Sequence, residues 1–96
     1  MPTSTPLFTL GRCVATPRAI DALQRQAPPV DPADLFVRHI VGDWGDLDAE
    51  DAAANDYALH FDERLLSSYR LPDETVVWVI TEADRSATTL LLPEDY

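Results

Sequence analysis

The sequence predicts an α+β fold in which two to three N-terminal helices pack on a small antiparallel β-meander of three to four strands. Proline-led segments with helical spacing fill the first two thirds of the chain, and apolar β-branched runs fill the last third. The 96 residues, 46% of them apolar, suit one two-layer domain. We therefore expect a single domain over residues 1–96, with residues 1–6 as a disordered arm.

The first two thirds begin with residues 7–14, which predict a short strand or an extended arm. Helices are then predicted over residues 17–26, 32–41 and 49–61. Each follows a residue whose side chain can cap the free amide groups of a first turn, namely Thr16, Asp31 and Asp48. Pro17 and Pro32 occupy first helical positions, and Gly42 ends the second helix.

The third predicted helix is expected to bury Ala54, Ala58 and Phe61. Asn55, Tyr57 and His60 on the same helix have no spacing that specifies chemistry. We expect these three to be surface or interface residues.

The last third predicts three strands over residues 65–71, 75–81 and 87–92, joined by turns at 72–74 and 83–86. The middle strand is β-branched and apolar on both faces, which is typical of a central strand. Pro93 follows the last strand and blocks further pairing.

Charge restricts the partners. The 17 acidic residues outnumber the 7 basic ones, for a formal net charge of −10, so nucleic acid and anionic lipid should be repelled. A partner with a basic surface is favoured, and no cofactor is predicted. The lone Cys13 is expected to be a small core side chain. With no visible signal peptide or membrane-length segment, the expected location is cytoplasmic.

Three polar side chains are candidate catalytic residues. His39 falls near the end of the second helix, and its intrinsic pKa suits a general acid or base. Arg85 would stabilise an anionic transition state, and Thr88, or alternatively Thr81 or Ser86, would orient a phosphate. The alternative is a structural histidine bonded to a loop carbonyl. The catalytic and the structural interpretations of His39 are distinguished by whether the three side chains meet in the fold.

The apolar residues of the segment 42–48 follow neither a helical nor a strand period, so the segment is predicted to form a shaped loop. Its Asp43 and Asp46 are candidate binding residues, but their spacing lacks the ligand pattern of a calcium loop. Turn formation and capping explain these aspartates better, so no metal site is predicted. Trp44 either plugs the gap between helices and sheet or stands exposed as a binding anchor.

Two further candidate binding residues lie on the predicted sheet. Asp84 either forms a local turn beside a solvated Arg85 or aims Arg85 at a carboxylate or phosphate. Tyr69, like Trp44, could stack against a base.

Residues 38–47 (RHIVGDWGDL) and 78–93 (WVITEADRSATTLLLP) resemble a family of small plasmid- and phage-associated bacterial proteins. The likeness covers most of the chain. Members are called plasmid-related proteins and also carry the label of a type I restriction methylase subunit. That label does not fit, because a methylase needs a glycine-rich loop after its first strand and the chain has only three glycines. The resemblance implies a mobile-element context.

Charge and context together predict a non-enzymatic accessory protein that acts by protein–protein contact, against or alongside host defence or restriction machinery. Its carboxylates would stand in for nucleic-acid phosphates. The alternative is a small metal-independent ribonuclease using His39 and Arg85. In this it resembles barnase, colicin and RelE-like toxins, in which a His-Ile pair on a helix precedes a small sheet. The acidity and the lack of lysine disfavour RNA binding.

Overall fold

The helices and strands of the computed structural model follow the predicted order over the described residues, 5–96. The elements are β1 (Arg12–Ala15), α1 (Pro17–Gln24), α2 (Pro32–Ile40), α3 (Ala49–Phe61), β2 (Leu65–Arg70), β3 (Val76–Thr81), β4 (Ala87–Leu91) and a 3-10 turn (Pro93–Asp95). The predicted α+β class is confirmed. Residues 1–4, and with them most of the predicted arm 1–6, lie outside the described residues.

The helices begin at the predicted caps. A side-chain oxygen of Thr16, Asp31 and Asp48 accepts a first-turn amide hydrogen bond, at distances of 2.8 to 3.2 Å. Each of these bonds satisfies one of the amide groups that have no partner within the helix. The local chemistry at the three starts therefore fixes where the helices enter the fold.

The sheet has the strand order β1-β4-β3-β2. Strands β2, β3 and β4 form the predicted antiparallel meander, and β1 pairs with β4 in parallel, so the whole sheet is mixed. A parallel neighbour needs a long connection, and the three helices between β1 and the meander supply it.

The main core lies between the sheet and helices α1 and α2. It consists of small and branched side chains from both layers: Ala19, Ala22, Leu23, Leu35, Tyr69, Leu71, Val77, Val79, Leu90 and Leu92. Alternate residues of each strand face these helices, as the period of two requires.

Trp44 centres a second, smaller core cluster with Ala58 and Leu65. Only 8% of Trp44 is exposed, so it plugs the space between helices and sheet and is not an exposed binding anchor. Gly45 beside it has φ +75°, and a Cβ there would collide with the Ser68 carbonyl. The loop therefore needs glycine to seat the tryptophan.

The expected buried side of α3 was wrong at Ala54 and Phe61, which are exposed. Among its residues, Asn55 and Ala58 are the ones buried. The reason lies in the tertiary packing, because α3 lies beside the edge strand β2 and not over the sheet. Its inward side meets a backbone edge, which small and polar side chains fit better than large apolar ones.

Asn55 was expected to be a surface or interface residue; it is 4% exposed and covers the edge of β2 inside the fold. Its Nδ2 donates to the Leu66 carbonyl at 2.6 Å, and its Oδ1 accepts from the Leu66 amide at 3.1 Å. The carboxamide thus replaces one residue of a neighbouring strand. Covering an edge strand in this way removes exposed pairing groups.

Cys13 was expected in the core but is exposed. It lies on β1, the strand at one margin of the sheet. The core cluster under α1 and α2 does not include Cys13. Its exposure therefore depends, like the burial on α3, on which part of the sheet the helices cover.

Replacing Asn55 by alanine should lower the free energy of unfolding by about 2 to 4 kcal/mol, because the Leu66 amide and carbonyl would lose their partners. Urea denaturation measures this. Asp56→Ala, at an exposed neighbouring position of α3, should change stability by about 0.5 kcal/mol or less. Equal losses for the two variants would contradict the edge-covering role of Asn55.

Candidate functional site

His39 is the centre of a buried chain of polar side chains. Its Nδ1 lies 2.6 Å from Ser67 Oγ and its Nε2 lies 2.9 Å from Thr81 Oγ1. The Thr81 hydroxyl lies 2.7 Å from that of Thr88, which donates to the Leu10 carbonyl at 2.7 Å. His39, Ser67, Thr81 and Thr88 each have no exposed surface. We call these four side chains and the Leu10 carbonyl the His39 chain.

The hydrogen bonds of the His39 chain can run in only one direction. A carbonyl only accepts, so the single Thr88 proton goes to Leu10 and Thr88 must accept from Thr81. The Thr81 proton is then used, and Thr81 accepts from Nε2–H of His39. When the imidazole is neutral, Nδ1 accepts from Ser67. The bond to Thr81 therefore places the proton of the neutral imidazole on Nε2.

Burial and charge both keep His39 neutral. Burial lowers the pKa of His39 from 6.5 to about 4, and the positive charge of Arg85 adds to this effect. A general acid at neutral pH needs a group that carries a proton to give, whereas this imidazole is uncharged there and its proton is committed to Thr81.

Phe8 contacts both His39 and Arg85. The Phe8 ring meets the His39 ring edge-on at 5.2 Å, and the Arg85 guanidinium carbon lies 5.8 Å from the centre of the Phe8 ring. Trp44 also packs edge-on against His39 at 5.6 Å, and its ring stacks on Phe8 with centroids 6.4 Å apart. These two rings cover part of the imidazole, which has no exposed surface.

Arg85 binds backbone carbonyls. Its guanidinium donates to the carbonyls of Glu63, Glu82, Ala83 and Ala58 at 2.7 to 3.1 Å. These bonds join the last turn of α3 to the β3–β4 turn, and a cation at a helix C-terminus is favoured by the helix dipole. Arg85 is partly exposed, and its guanidinium binds carbonyls of the fold.

Asp84 forms the local turn that was one of its two predicted roles. Its Oδ1 accepts from the Ser86 amide at 3.0 Å, and hydrogen bonds from Ser86 lower the pKa of Asp84. The residue that follows, Arg85, adopts φ +62°. The turn directs the guanidinium toward α3.

Tyr69 packs in the core, so its predicted role in stacking a base does not fit its position. It is 1% exposed, and its hydroxyl donates to the Asp43 carbonyl at 2.7 Å. Arg38 covers the ring at 4.4 Å. Burial raises the pKa of Tyr69 to about 12. With Trp44 also buried, neither predicted stacking residue presents its ring to solvent.

Asp43 and Asp46 are exposed and hold the loop in place. Asp43 accepts from Arg38 Nε at 2.7 Å, a hydrogen bond that lowers the pKa of Asp43. It also accepts from the Gly45 amide at 3.2 Å, and Asp46 pairs with Arg70 at 3.4 Å. Within residues 5–96, no cluster of three or more His, Cys, Asp or Glu side chains could hold a metal ion.

The fold therefore unites His39 with Thr88 through Thr81, and keeps Arg85 apart from them.

Sequence reasoning missed Ser67 and Phe8. Ser67 carried a usable signal, because it is a polar residue at an inward position between apolar Leu65 and Tyr69. Phe8 carried none, since its place depends on how the N-terminal segment crosses α2.

Acidic side chains dominate one stretch of the surface. Residues 39–63 contain no lysine or arginine. Their acids are all exposed: Asp43, Asp46, Asp48, Glu50, Asp51, Asp56, Asp62 and Glu63. In the described chain, ion pairs with arginine involve only two of this group, Asp43 and Asp46. The acids of α3 and of its two ends form no such pair.

Comparisons with protein-family models, with curated proteins and with solved structures return no match for this chain. Across residues 5–96, none of the helices has both the length and the apolar character that a membrane crossing demands. The site is therefore interpreted from its own geometry.

Lowering the pH from 7 to 5 should reduce the free energy of unfolding by about 2 kcal/mol through His39 alone. The pKa is 6.5 in the unfolded chain and about 4 in the fold, so the unfolded state takes up the proton first. The stability is full above pH 6.5 and falls as the pH drops toward 4. Urea denaturation at several pH values measures the loss.

His39→Gln should flatten this pH dependence, and His60→Gln, which removes the exposed second histidine, should retain it. If His39→Gln does not fold, an NMR titration of the wild-type His39 ring replaces it. A ring that titrates near 6.5, or equal pH profiles for the two variants, would contradict the buried neutral imidazole.

Proposed function

We propose that this protein is a non-enzymatic binding protein that acts by contact with the basic surface of another protein. The observation that carries the proposal is the acidic stretch 39–63, in which exposed carboxylates follow one another without a lysine or arginine. Such a surface attracts a cationic partner and speeds its association.

The distribution of charge supports a surface that is kept free for a partner. Of the seven arginines, Arg38 and Arg70 pair with the loop residues Asp43 and Asp46, and Arg85 donates to backbone carbonyls. The acids at both ends of α3 have no such partner among the described ion pairs. Exposed charges of one sign repel each other, so a cationic partner would relieve that repulsion.

The ribonuclease alternative has less support. It requires His39 to reach a phosphate with Arg85 beside it, whereas the imidazole is fully buried and Arg85 donates to carbonyls. A proton-transfer group must lie within hydrogen-bond reach of its substrate. The residues suspected of chemistry instead connect the elements of the fold.

The resemblance to plasmid- and phage-associated proteins adds a context to the proposal. The partner would then belong to host defence or restriction machinery, whose nucleic-acid channels are basic. The carboxylates of residues 39–63 would occupy such a channel in place of phosphates.

The test is affinity purification from a lysate of the source organism with the tagged full-length protein, followed by identification of the captured proteins. We expect one or a few strongly basic proteins that high salt releases and that added nucleic acid displaces, because both compete for the same charges. A variant with Glu50→Gln, Asp56→Asn and Glu63→Gln should capture about tenfold less.

The control variant carries Asp34→Asn, Glu82→Gln and Glu94→Gln, which removes the same charge from exposed positions outside 39–63. It should capture as much as wild type. Capture of no specific protein, or capture that survives high salt and is equal for both variants, would refute binding through the acidic stretch.

A further inference from the structure

The outward side of α3 carries its largest apolar side chains, the reverse of an ordinary surface helix. Tyr57 is 55% exposed and Phe61 is 61% exposed, whereas the inward positions hold Asn55 and Ala58. The two aromatic rings stack on each other with centroids 4.4 Å apart. Two adjacent exposed aromatic rings form an apolar patch of the kind that marks an interaction site.

The patch continues along the helix. Positions 50, 54, 57 and 61 are spaced four, three and four residues apart, which puts them on one face, and Ala53 lies beside them. We call Ala53, Ala54, Tyr57 and Phe61 the α3 stripe. All four are exposed.

Acids surround the α3 stripe on every side. Glu50 lies on the same face one turn before it, and Asp51 and Asp56 fall on its two flanks by helical spacing. Asp62 and Glu63 follow its carboxyl end, and all five acids are exposed. The surface is thus apolar along its centre and negative around its border.

A groove of about 240 Å³ runs beside the α3 stripe, between α3 and β2. Leu47, Ala54 and Leu66 line its apolar part, and Asp51 and Glu63 add carboxylates. Arg64 is the cation that lines it, and its guanidinium lies 5.2 Å over the Tyr96 ring. The groove therefore continues the same combination of apolar and acidic surface.

The helix that presents this surface is held at both ends. Asp48 caps its start at 2.8 Å, and Arg85 binds the Ala58 and Glu63 carbonyls at its end. Asn55 attaches its middle to β2. A surface that is ordered before binding loses less entropy when a partner docks.

We propose that the α3 stripe and the adjacent groove dock an amphipathic basic helix of the partner protein, an inference that rests on the proposed function. Leucine-like side chains of that helix would cover Tyr57 and Phe61, and its lysines and arginines would meet the bordering acids. Charge complementarity selects this occupant. A second copy of the chain would bring two acidic borders together, which like charges oppose.

The test uses a fluorescently labelled amphipathic peptide of about 18 residues with leucine on one face and lysine on the other. Anisotropy titrations compare wild type with Tyr57→Ser/Phe61→Ser. The double variant should bind at least about tenfold more weakly, because exposed aromatic anchors dominate such interfaces. Val37→Ser, at a side chain 61% exposed on α2, is the matched control and should bind like wild type.

A peptide with serine in place of leucine should bind wild type and the double variant equally and weakly, since only charge attracts it. Equal binding of the leucine–lysine peptide to wild type and the double variant overturns the docking site, as does no binding to wild type. If the purification above still captures a basic partner that salt releases, the proposed function stands and only the α3 docking site is wrong.

Discussion

The one-way hydrogen-bond chain through His39 is the constraint on which the rest of the structure depends. It joins α2 to β2, β3 and β4, and it ends on the Leu10 carbonyl of the segment before β1. Thr81 and Thr88 are also cross-strand partners, so the chain fixes the β3–β4 register. In the described residues no buried side-chain polar atom lacks a partner. A fully satisfied network specifies one core arrangement, whereas one missing member would leave others unpaired.

The side chains that hold the fold together differ from those that remain on the surface for contact with other molecules. Histidine, threonine and arginine are side chains that chemistry often uses, and here they connect helices, strands and turns inside the fold. Arg85 shows the principle at the margin of the core, where four carbonyls share one guanidinium. Around α3, the side chains left on the surface are mainly carboxylates and the two aromatic rings of Tyr57 and Phe61. The binding that we propose for this surface would rest on shape, apolar contact and charge.

The elements could be predicted from the sequence because their signals are local. Thr16, Asp31 and Asp48 cap helices through neighbouring amides, and the strand alternation of 65–81 depends only on the nearest residues. Burial on α3 could not be predicted, because it depends on which element the helix meets.

The candidate site was predictable in part for the same reason. His39 and Thr88 could be named as candidates from the sequence, and the fold connects them through Thr81. The carbonyls that Arg85 binds and the strand edge that Asn55 covers depend on long-range contacts. Isolated residue types suggested a catalytic site, whereas their contacts in the fold are with other side chains and with backbone carbonyls.

The sheet has two unlike edges, and this asymmetry limits how the protein can polymerise. Asn55 and the bridge between Gly45 and Ser68 occupy the outer side of β2, while no described segment pairs with the outer side of β1. Two molecules that joined β1 to β1 would present β2 at both outer margins, where Leu66 and Ser68 already bond to Asn55 and to residues 44–46. A further strand would meet occupied backbone groups at each margin, which opposes growth of the sheet beyond a closed pair.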